Sequence, residues 1–335
     1  MTLLLNFKYP FDDPLGVLSS TAAVMEKTVF VRLDPEATLR FARLHAGQSP
    51  PLHAEDNLHC THLPPDRFLN YLLVLEALNF CFWDFDPRWR VPYGNQKHDG
   101  YWALTAALHR AIEVEQTPLW DAGWLANVTD EQVAHLLRGE GRPIPLLAER
   151  ANHLREVGTV LSDRWEGQFA NTIQNCERDA VRLVNLIAQE FSSFQDQTES
   201  EGRTILFLKR AQICVADLNR MLPNPPGGSL KGIEHLTAFA DYKVPQVMRA
   251  TGVLVLDPQL ADRIDRLETI PANSPEEIAL RAATIWGCEW LARAITKARP
   301  AQPPATAADV DYLLWSFGQD KSGLPPYHRT RTIFY

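Results

Sequence analysis

One acidic side chain stands out among the residues that could do chemistry. Asp241 lies in the segment Lys231–Gly252, KGIEHLTAFADYKVPQVMRATG, just before a predicted helix that has Pro245 in its first turn and ends at Gly252. A carboxylate in that position commonly caps the helix by accepting backbone N–H bonds. It can also do chemistry if it faces a pocket in which positive charge develops, so the sequence leaves both roles open.

Two short aromatic stretches could bind a flat ligand. They are LNFCFWDFD, residues 78–86, and GYW, residues 100–102. The rings stand beside the polar residues Asn79 and Asp84, and they are Phe80, Phe82, Trp83, Phe85, Tyr101 and Trp102. Stacking on a ligand is one interpretation, and composition alone favours the other, which is ordinary packing of large rings in a core.

Three histidines, His53, His59 and His62, lie close together in the sequence. Their spacing is not that of a regular metal site, so capping, core or loop roles are favoured over metal binding. The sequence has no Walker loop, no GxGxxG after a strand, no GxSxG and no HExxH.

Composition limits the class of protein. The 335 residues are 45% apolar and 22% charged, which is typical of a globular protein with a full-sized core. The net charge of −8 disfavours a stable nucleic-acid partner but leaves room for a small anion. The sequence contains no run of about 18 apolar residues, so we expect no membrane span. Five cysteines without a CxxC pair favour reduced, buried thiols, and with no leader signal at the start we expect a cytoplasmic protein.

Helix signals dominate the elements that must position these groups. The predicted helix starts share a capping side chain or a first-turn proline. They are Asp34-Pro35, Pro64-Pro65, Thr129, Asp257-Pro258, Ser274-Pro275 with Glu277 as reciprocal partner, and Thr306. Residues after Pro65 are apolar nearly all round, which predicts an interior helix. Ile173 to Phe191 is interpreted as one helical face, and Thr28 to Leu33 as the only persuasive strand.

Prolines mark the connections between helices, as at 222–228 and 300–304. The chain shows no internal repeat and no low-complexity tail. We therefore expect a mainly α protein that forms a single compact multi-helix domain over residues 1–335. Residues 1–27 would form a short extended or helical N-terminal extension, and residues 28–335 the core.

Several strings in the sequence together resemble a known family. They occur in the family's order from about residue 28 to Tyr335, and they are LNFCFW, GYW, PLLAER, FLKRAQICVAD, LTAFADYKVPQ, DYLLW and HRTRTIFY. This combination is similar to the queuosine salvage proteins, the queuosine 5'-phosphate N-glycosylases. The sequence departs from some relatives at Ser316, where they carry an acid, and the histidines of residues 52–62 are loosely arranged.

The resemblance implies a helical fold related to the helix-hairpin-helix DNA glycosylases. It implies a hydrolase that cleaves queuosine 5'-monophosphate between the ribose and the deazaguanine, releasing queuine for reuse in tRNA. Asp241 would be the catalytic residue, since its carboxylate could stabilise an oxocarbenium-like sugar and orient or deprotonate the attacking water. No cofactor is implied, because water is the second reactant.

The remaining site residues would bind the substrate. Asp311, one turn before Trp315, would accept hydrogen bonds from nitrogens of the base, or it would only cap a helix or form an ion pair. Cations near Lys209, Arg210 and Lys243 would meet the phosphate, or lie on a solvated face. The predicted substrate-binding residues are Phe239, Tyr242, Asp311, Trp315, His59, Asn79, Trp83, Trp102, Lys209 and Lys243.

Two other functions stay open at this point. A non-catalytic queuine- or nucleotide-binding protein could use the same aromatic surface and leave its ligand intact. A DNA glycosylase would cleave bases from DNA, but the acidic net charge argues against it. We expect the protein to be a monomer.

Overall fold

The structure is a computed structural model, and it describes residues 5–8, 12–48, 53–84, 86–222, 229–320 and 322–335. These residues are mainly helical, as predicted, and about 54% of them lie in helices. The α-helices are α1 Val17–Lys27, α2 Pro35–His45, α3 Pro65–Ala77, α4 Gly100–Glu113, α5 Ala122–Ala126, α6 Asp130–Leu136, α7 Leu147–Arg164, α8 Phe169–Asn175, α9 Ala180–Glu190, α10 Lys209–Met221, α11 Lys243–Ala250, α12 Pro258–Asp265, α13 Pro275–Ala298 and α14 Ala307–Phe317.

Six short strands in the described residues form three two-stranded antiparallel sheets. The strands are β1 Val31–Leu33, β2 Arg90–Tyr93, β3 Gln96–Asp99, β4 Gln197–Ser200, β5 Arg203–Leu206 and β6 Leu254–Leu256. The pairs are β1 with β6, β2 with β3, and β4 with β5. The prediction of a strand at residues 28–33 is thus confirmed only for its last three residues, and the other five strands were missed.

The chain divides into two compact units, each assembled from separate stretches of sequence. The first unit comprises Met1–Pro51, Asp196–Gln212 and Glu234–Arg331, and the second Leu52–Gln195, Ile213–Ile233 and Thr332–Tyr335. The single domain over 1–335, with an extension at 1–27, stays a prediction.

Helix α13 forms the centre of the first unit. Almost all of its residues from Glu277 to Ile295 are buried, and it packs against α1, α2, α11 and α14. Gly287 faces α11, and a Cβ at that position would lie 2.8 Å from the Sδ atom of Met248. Met248 belongs to α11, whose N-terminal end follows Asp241.

Helix α3 forms the centre of the second unit. Every residue from Phe68 to Ala77 is buried, which confirms the prediction of an interior helix after Pro65. It packs against α4, α7 and α8. Helix α7 in turn crosses α5 at Gly158, where a Cβ would lie 2.1 Å from the backbone nitrogen of Ala126. Only a glycine permits so close a crossing.

The structure confirms five of the predicted helix starts by their side-chain caps. The capping residues each accept a backbone N–H bond in the first turn, and they are Asp34, Thr129, Asp257, Ser274 and Thr306. The five cysteines are buried thiols, as expected. The proline-rich stretch 300–304 lies outside the helices, whereas the loop at 223–228 and Phe85 fall outside the described residues.

Two details of the helix prediction were wrong. Residues 173–191 form two helices, α8 and α9, because Glu177 and Arg178 adopt left-handed backbone conformations with φ of 52° and 59°. The side chain of Glu277 accepts the N–H of Asn273 at 3.1 Å instead of the N–H of the capping Ser274. The apolar spacing continues across the break at Glu177 and Arg178, so the sequence pattern did not reveal the turn between the two helices.

Candidate active site

Asp241 ends a short irregular segment in the first unit and caps α11. Its Oδ1 atom accepts the backbone N–H groups of Lys243 at 2.8 Å and Val244 at 2.9 Å. Among the described residues, no hydrogen bond or ion pair engages its Oδ2 atom. Asp241 is 9% exposed. One carboxylate oxygen is therefore fixed by the helix terminus, while the other can interact with a ligand.

The charge state of Asp241 depends on its surroundings. Burial raises the pKa of this carboxyl above its usual value. The ammonium of Lys209, the two backbone N–H bonds and the ammonium of Lys243 all act in the opposite direction. The positive end of the α11 dipole also favours a negative charge there. The cation and the helix terminus thus offset part of the cost of burying the carboxylate.

A second carboxyl, that of Asp311, lies in the same neighbourhood. Asp311 belongs to α14, and its Oδ2 atom accepts the backbone N–H of Phe239 at 2.9 Å. It is 4% exposed. Its pKa is raised well above the usual value, chiefly by burial and next by the negative charge of Asp241. Two buried carboxyls that repel each other do not both ionise at low cost, so they tend to differ in protonation.

Four half-buried rings of the first unit lie in two pairs. Tyr242 contacts Tyr327 with ring centroids 4.8 Å apart, and Tyr312 is stacked on Trp315 at 6.0 Å with an interplanar angle of 14°. The Nζ atom of Lys243 lies 5.6 Å from the centre of the Tyr327 ring. Phe239 is half-buried as well. In the sequence, Phe239 and Tyr242 lie on either side of Asp241, and Tyr312 and Trp315 follow Asp311.

His59, one of the predicted residues of the second unit, is buried and contacts another of them, Trp102. The Nδ1 atom of His59 donates to the Asp56 carbonyl at 3.2 Å, and its Nε2 atom accepts from the Tyr101 hydroxyl at 2.8 Å. Trp102 presents its ring edge-on to His59 at 5.8 Å. Burial lowers the pKa of His59, so the ring resists taking up a second proton.

The other two predicted residues of the second unit, Asn79 and Trp83, are buried at 7% and 4% exposure. The Nδ2 atom of Asn79 donates to Glu76 at 2.9 Å. Phe80 packs against the guanidinium of Arg150, whose Cζ atom lies 4.1 Å from the ring centre. For Phe80 the structure therefore supports the core-packing interpretation.

The predicted site residues thus fall into two groups. Seven belong to the first unit, namely Asp241, Phe239, Tyr242, Asp311, Trp315, Lys209 and Lys243, and four to the second, namely His59, Asn79, Trp83 and Trp102. In the described part of the chain, no group of three or more His, Cys, Asp or Glu side chains has the arrangement of a metal site. His62 instead pairs with Glu113 at 2.7 Å.

Sequence reasoning missed two residues next to the Asp241 segment. Arg281 on α13 donates to the Ala240 carbonyl at 3.2 Å, and it forms a buried ion pair with Asp196. The available signal was a single arginine inside the apolar stretch IALRAATIW of α13. A buried arginine needs an acidic or carbonyl partner, and that partner could not be located from the sequence.

Comparison with known proteins gives a consistent result. The model of the family described as queuosine salvage protein matches residues 58–335. A protein of Sphaerobacter thermophilus named queuosine 5'-phosphate N-glycosylase/hydrolase is 46% identical over 331 residues, which cover 96% of this chain and 98% of that protein. Proteins with the same name from Bos taurus and Mus musculus are 33% and 32% identical, over 97% and 96% of this chain and 100% and 99% of their own length. The chain therefore belongs to the queuosine salvage protein family.

Proposed function

We propose that the protein hydrolyses the N-glycosidic bond of queuosine 5'-phosphate and releases queuine, which is reused in tRNA modification. Water adds its hydroxyl to C1′ of the ribose, and the second proton goes to the glycosidic nitrogen of the departing base. The products are queuine and ribose 5-phosphate. The curated relatives that match nearly all of the chain are named for this activity.

The observation that carries the proposal is the hydrogen bonding of the two Asp241 carboxyl oxygens. Its Oδ1 atom is held by Lys243 and Val244, and its Oδ2 atom is left to meet a ligand. In an N-glycosidase a carboxylate of this kind stabilises the positive charge that develops at C1′ and orients the attacking water. At about 4 Å and an effective dielectric near 20, the attraction is roughly 4 kcal/mol. That corresponds to about a thousandfold in rate.

Asp311 is proposed to bind nitrogens of the base. It is anchored to the Phe239 N–H through Oδ2, and a donor or cation from the ligand would favour its ionised form. Phe239, Tyr242 and Trp315 are proposed to contact the base, because their rings are half-buried in the same unit. Lys209 and Lys243 are proposed to favour the 5'-phosphate over a free nucleoside.

The binding roles of His59, Asn79, Trp83 and Trp102 stay predictions. The bonded ring nitrogens of His59 and the edge of Trp102 support a rigid, uncharged binding surface in the second unit. The monomeric state and the cytoplasmic location also stay predictions. No helix in the described residues is long and apolar enough to cross a membrane.

We also propose that the helical fold is related to that of the helix-hairpin-helix DNA glycosylases. The supporting feature is the segment in which Asp241 caps α11 and Gly252, with a φ of +76°, follows two residues after the end of the helix at Ala250. A DNA substrate remains disfavoured by the net charge of −8.

The test is release of the base from a defined substrate. Purified protein is incubated with queuosine 5'-phosphate, the 3'-phosphate and the free nucleoside, and queuine is measured by liquid chromatography. We expect the 5'-phosphate to be converted fastest. If the ligand binds and is recovered intact after hours, the protein is a binding protein; if only a damaged base in DNA is released, it is a DNA glycosylase.

A further inference from the structure

A buried ion pair contacts the backbone just before Asp241. The guanidinium of Arg281 donates to both carboxylate oxygens of Asp196, Nη1 to Oδ1 at 2.8 Å and Nη2 to Oδ2 at 2.5 Å. The two side chains are 3% and 2% exposed. The Cζ atom of Arg281 also lies 3.8 Å from the centre of the Phe207 ring. This geometry holds the guanidinium in one orientation.

Each partner of the ion pair holds one backbone segment of the site. Arg281 donates its Nε proton to the carbonyl of Ala240, the residue before Asp241. Asp196 accepts, through Oδ2, the backbone N–H of Lys209 at 3.0 Å. The carbonyl of Asp196 accepts two further N–H groups from the residues just before Lys209. The pair therefore links the backbone at Asp241 to the backbone at Lys209.

We propose that the Asp196–Arg281 ion pair is a positioning device that fixes the Lys209 ammonium relative to the Asp241 carboxylate and so keeps Asp241 ionised for the reaction. The catalytic part of this statement rests on the proposed function. The structural part does not, because the separation of the two charges is a property of the free protein. Replacing a buried ion pair by apolar residues is often neutral or stabilising, so a contribution to stability does not by itself explain why the chain has this pair.

The charged and titratable groups around Asp241 come from several elements. Lys209 at the start of α10 and Lys243 in α11 lower the pKa of Asp241, while burial raises it. Asp311 on α14 and Cys288 on α13 are acidic groups that interact with it unfavourably. Lys209 is the largest of the influences that lower the pKa. Loosening the backbone that carries Lys209 should therefore raise the pKa of Asp241.

The test substitution is Arg281→Lys, which keeps the positive charge but loses the paired guanidinium bonds. The measurement is an NMR titration of the Asp241 carboxyl carbon in substrate-free protein. The resonance is assigned by its absence in the Asp241→Asn variant. We expect the pKa to rise. We also expect kcat/KM to fall by about tenfold at pH 5 but to stay within about threefold at pH 8, because the acidic limb moves to higher pH.

The matched control is Arg249→Lys. Arg249 forms a similar paired bond with Asp265, 2.8 Å at both contacts, at the opposite end of α11. It has no hydrogen bond to the Ala240–Lys243 backbone in the described structure. We expect this variant to leave both the Asp241 titration and the acidic limb unchanged.

A double substitution separates positioning from general loosening of the fold. Lys209→Met removes the ammonium, so Arg281→Lys added to it should raise the Asp241 pKa no further. Equal effects of Arg281→Lys with and without Lys209 would overturn the proposal. So would an unchanged titration in folded Arg281→Lys. If that variant does not fold, Asp196→Glu takes its place, and failure of both to fold would make the pair a folding element and also overturn it.

The NMR titration distinguishes this inference from the proposed function. If the wild-type protein released no queuine yet Asp241 titrated as described, the proposed function would fail and the positioning role would stand. If the protein were active and the titration did not respond to Arg281→Lys, the reverse would hold.

Discussion

The surroundings of Asp241 in the first unit and of His59 in the second show that burial shifts the pKa of an acid and of a base in opposite directions. Burial raises the pKa of the Asp241 and Asp311 carboxyls. Lys209 lowers both pKa values, and the backbone N–H groups at the start of α11 lower that of Asp241, which offsets part of the rise. Burial lowers the pKa of His59, whose two ring nitrogens are both engaged. Burial thus favours the uncharged form of the side chain in both regions, by raising the pKa of a carboxyl and lowering that of a histidine.

The largest expected effect is that of Asp241→Asn on turnover. Asparagine can still accept both N–H bonds of the helix terminus, so the fold and the KM should change little, the latter by no more than about threefold. Loss of the negative charge should lower kcat by about a thousandfold or more. Steady-state kinetics of queuine release measures both values.

The control for this substitution is Asp257→Asn. Asp257 caps α12 in the same unit by accepting N–H bonds from Gln259 and Leu260, which is the same local role without a proposed catalytic one. This variant should keep its kcat within about twofold. An Asp241→Asn variant with wild-type turnover would remove the difference between the two aspartates.

The next effect is that of His59→Asn on substrate affinity. This change removes the ring that contacts Trp102 edge-on and accepts from the Tyr101 hydroxyl. We expect KM to rise by about tenfold, corresponding to roughly 1.4 kcal/mol, while kcat stays within about threefold. The exposed His62 is the matched control, since His62→Asn should leave both constants unchanged. A fall in kcat as large as that of Asp241→Asn would contradict the distinction between the two regions.

The smallest effect concerns stability. Asp311→Asn removes a carboxyl that is costly to bury in its ionised form, so the free energy of unfolding should rise by about 1 kcal/mol at pH 7.5. The raised pKa means that the folded wild type takes up a proton before the unfolded chain does. Wild-type Asp311 therefore costs less as the pH falls toward the usual carboxyl pKa of 3.8, and the advantage of the variant should shrink.

His59 should respond to acid in the opposite direction. Its folded pKa lies below 6.5, so the unfolded chain is protonated first and stability falls as the pH drops below 6.5. His59→Asn should flatten this loss. Thermal unfolding of both variants and the wild type between pH 8 and pH 5 measures the two trends, and trends of the same sign would contradict the contrast.

Local signals were enough to predict much of the fold. Asp34 and Ser274 occupy cap positions that a few neighbouring residues define, and the structure has these caps. The two-residue break at Glu177 and Arg178 was missed because the apolar spacing continues across it. Short strands such as β4 and β5 were missed because QTES and RTIL do not alternate between apolar and polar residues, so nothing in either segment indicates the pairing.

The sequence by itself determined the helical class, the family and the candidate aspartate, since these depend on residue order and on caps that act over three or four positions. Only the tertiary structure decided that Asp311 holds the Phe239 N–H and that Arg281 reaches both Ala240 and Asp196. Arg281 and Asp196 are 85 positions apart. The charge state of a buried group depends on which distant residues surround it, and folding alone brings those residues together.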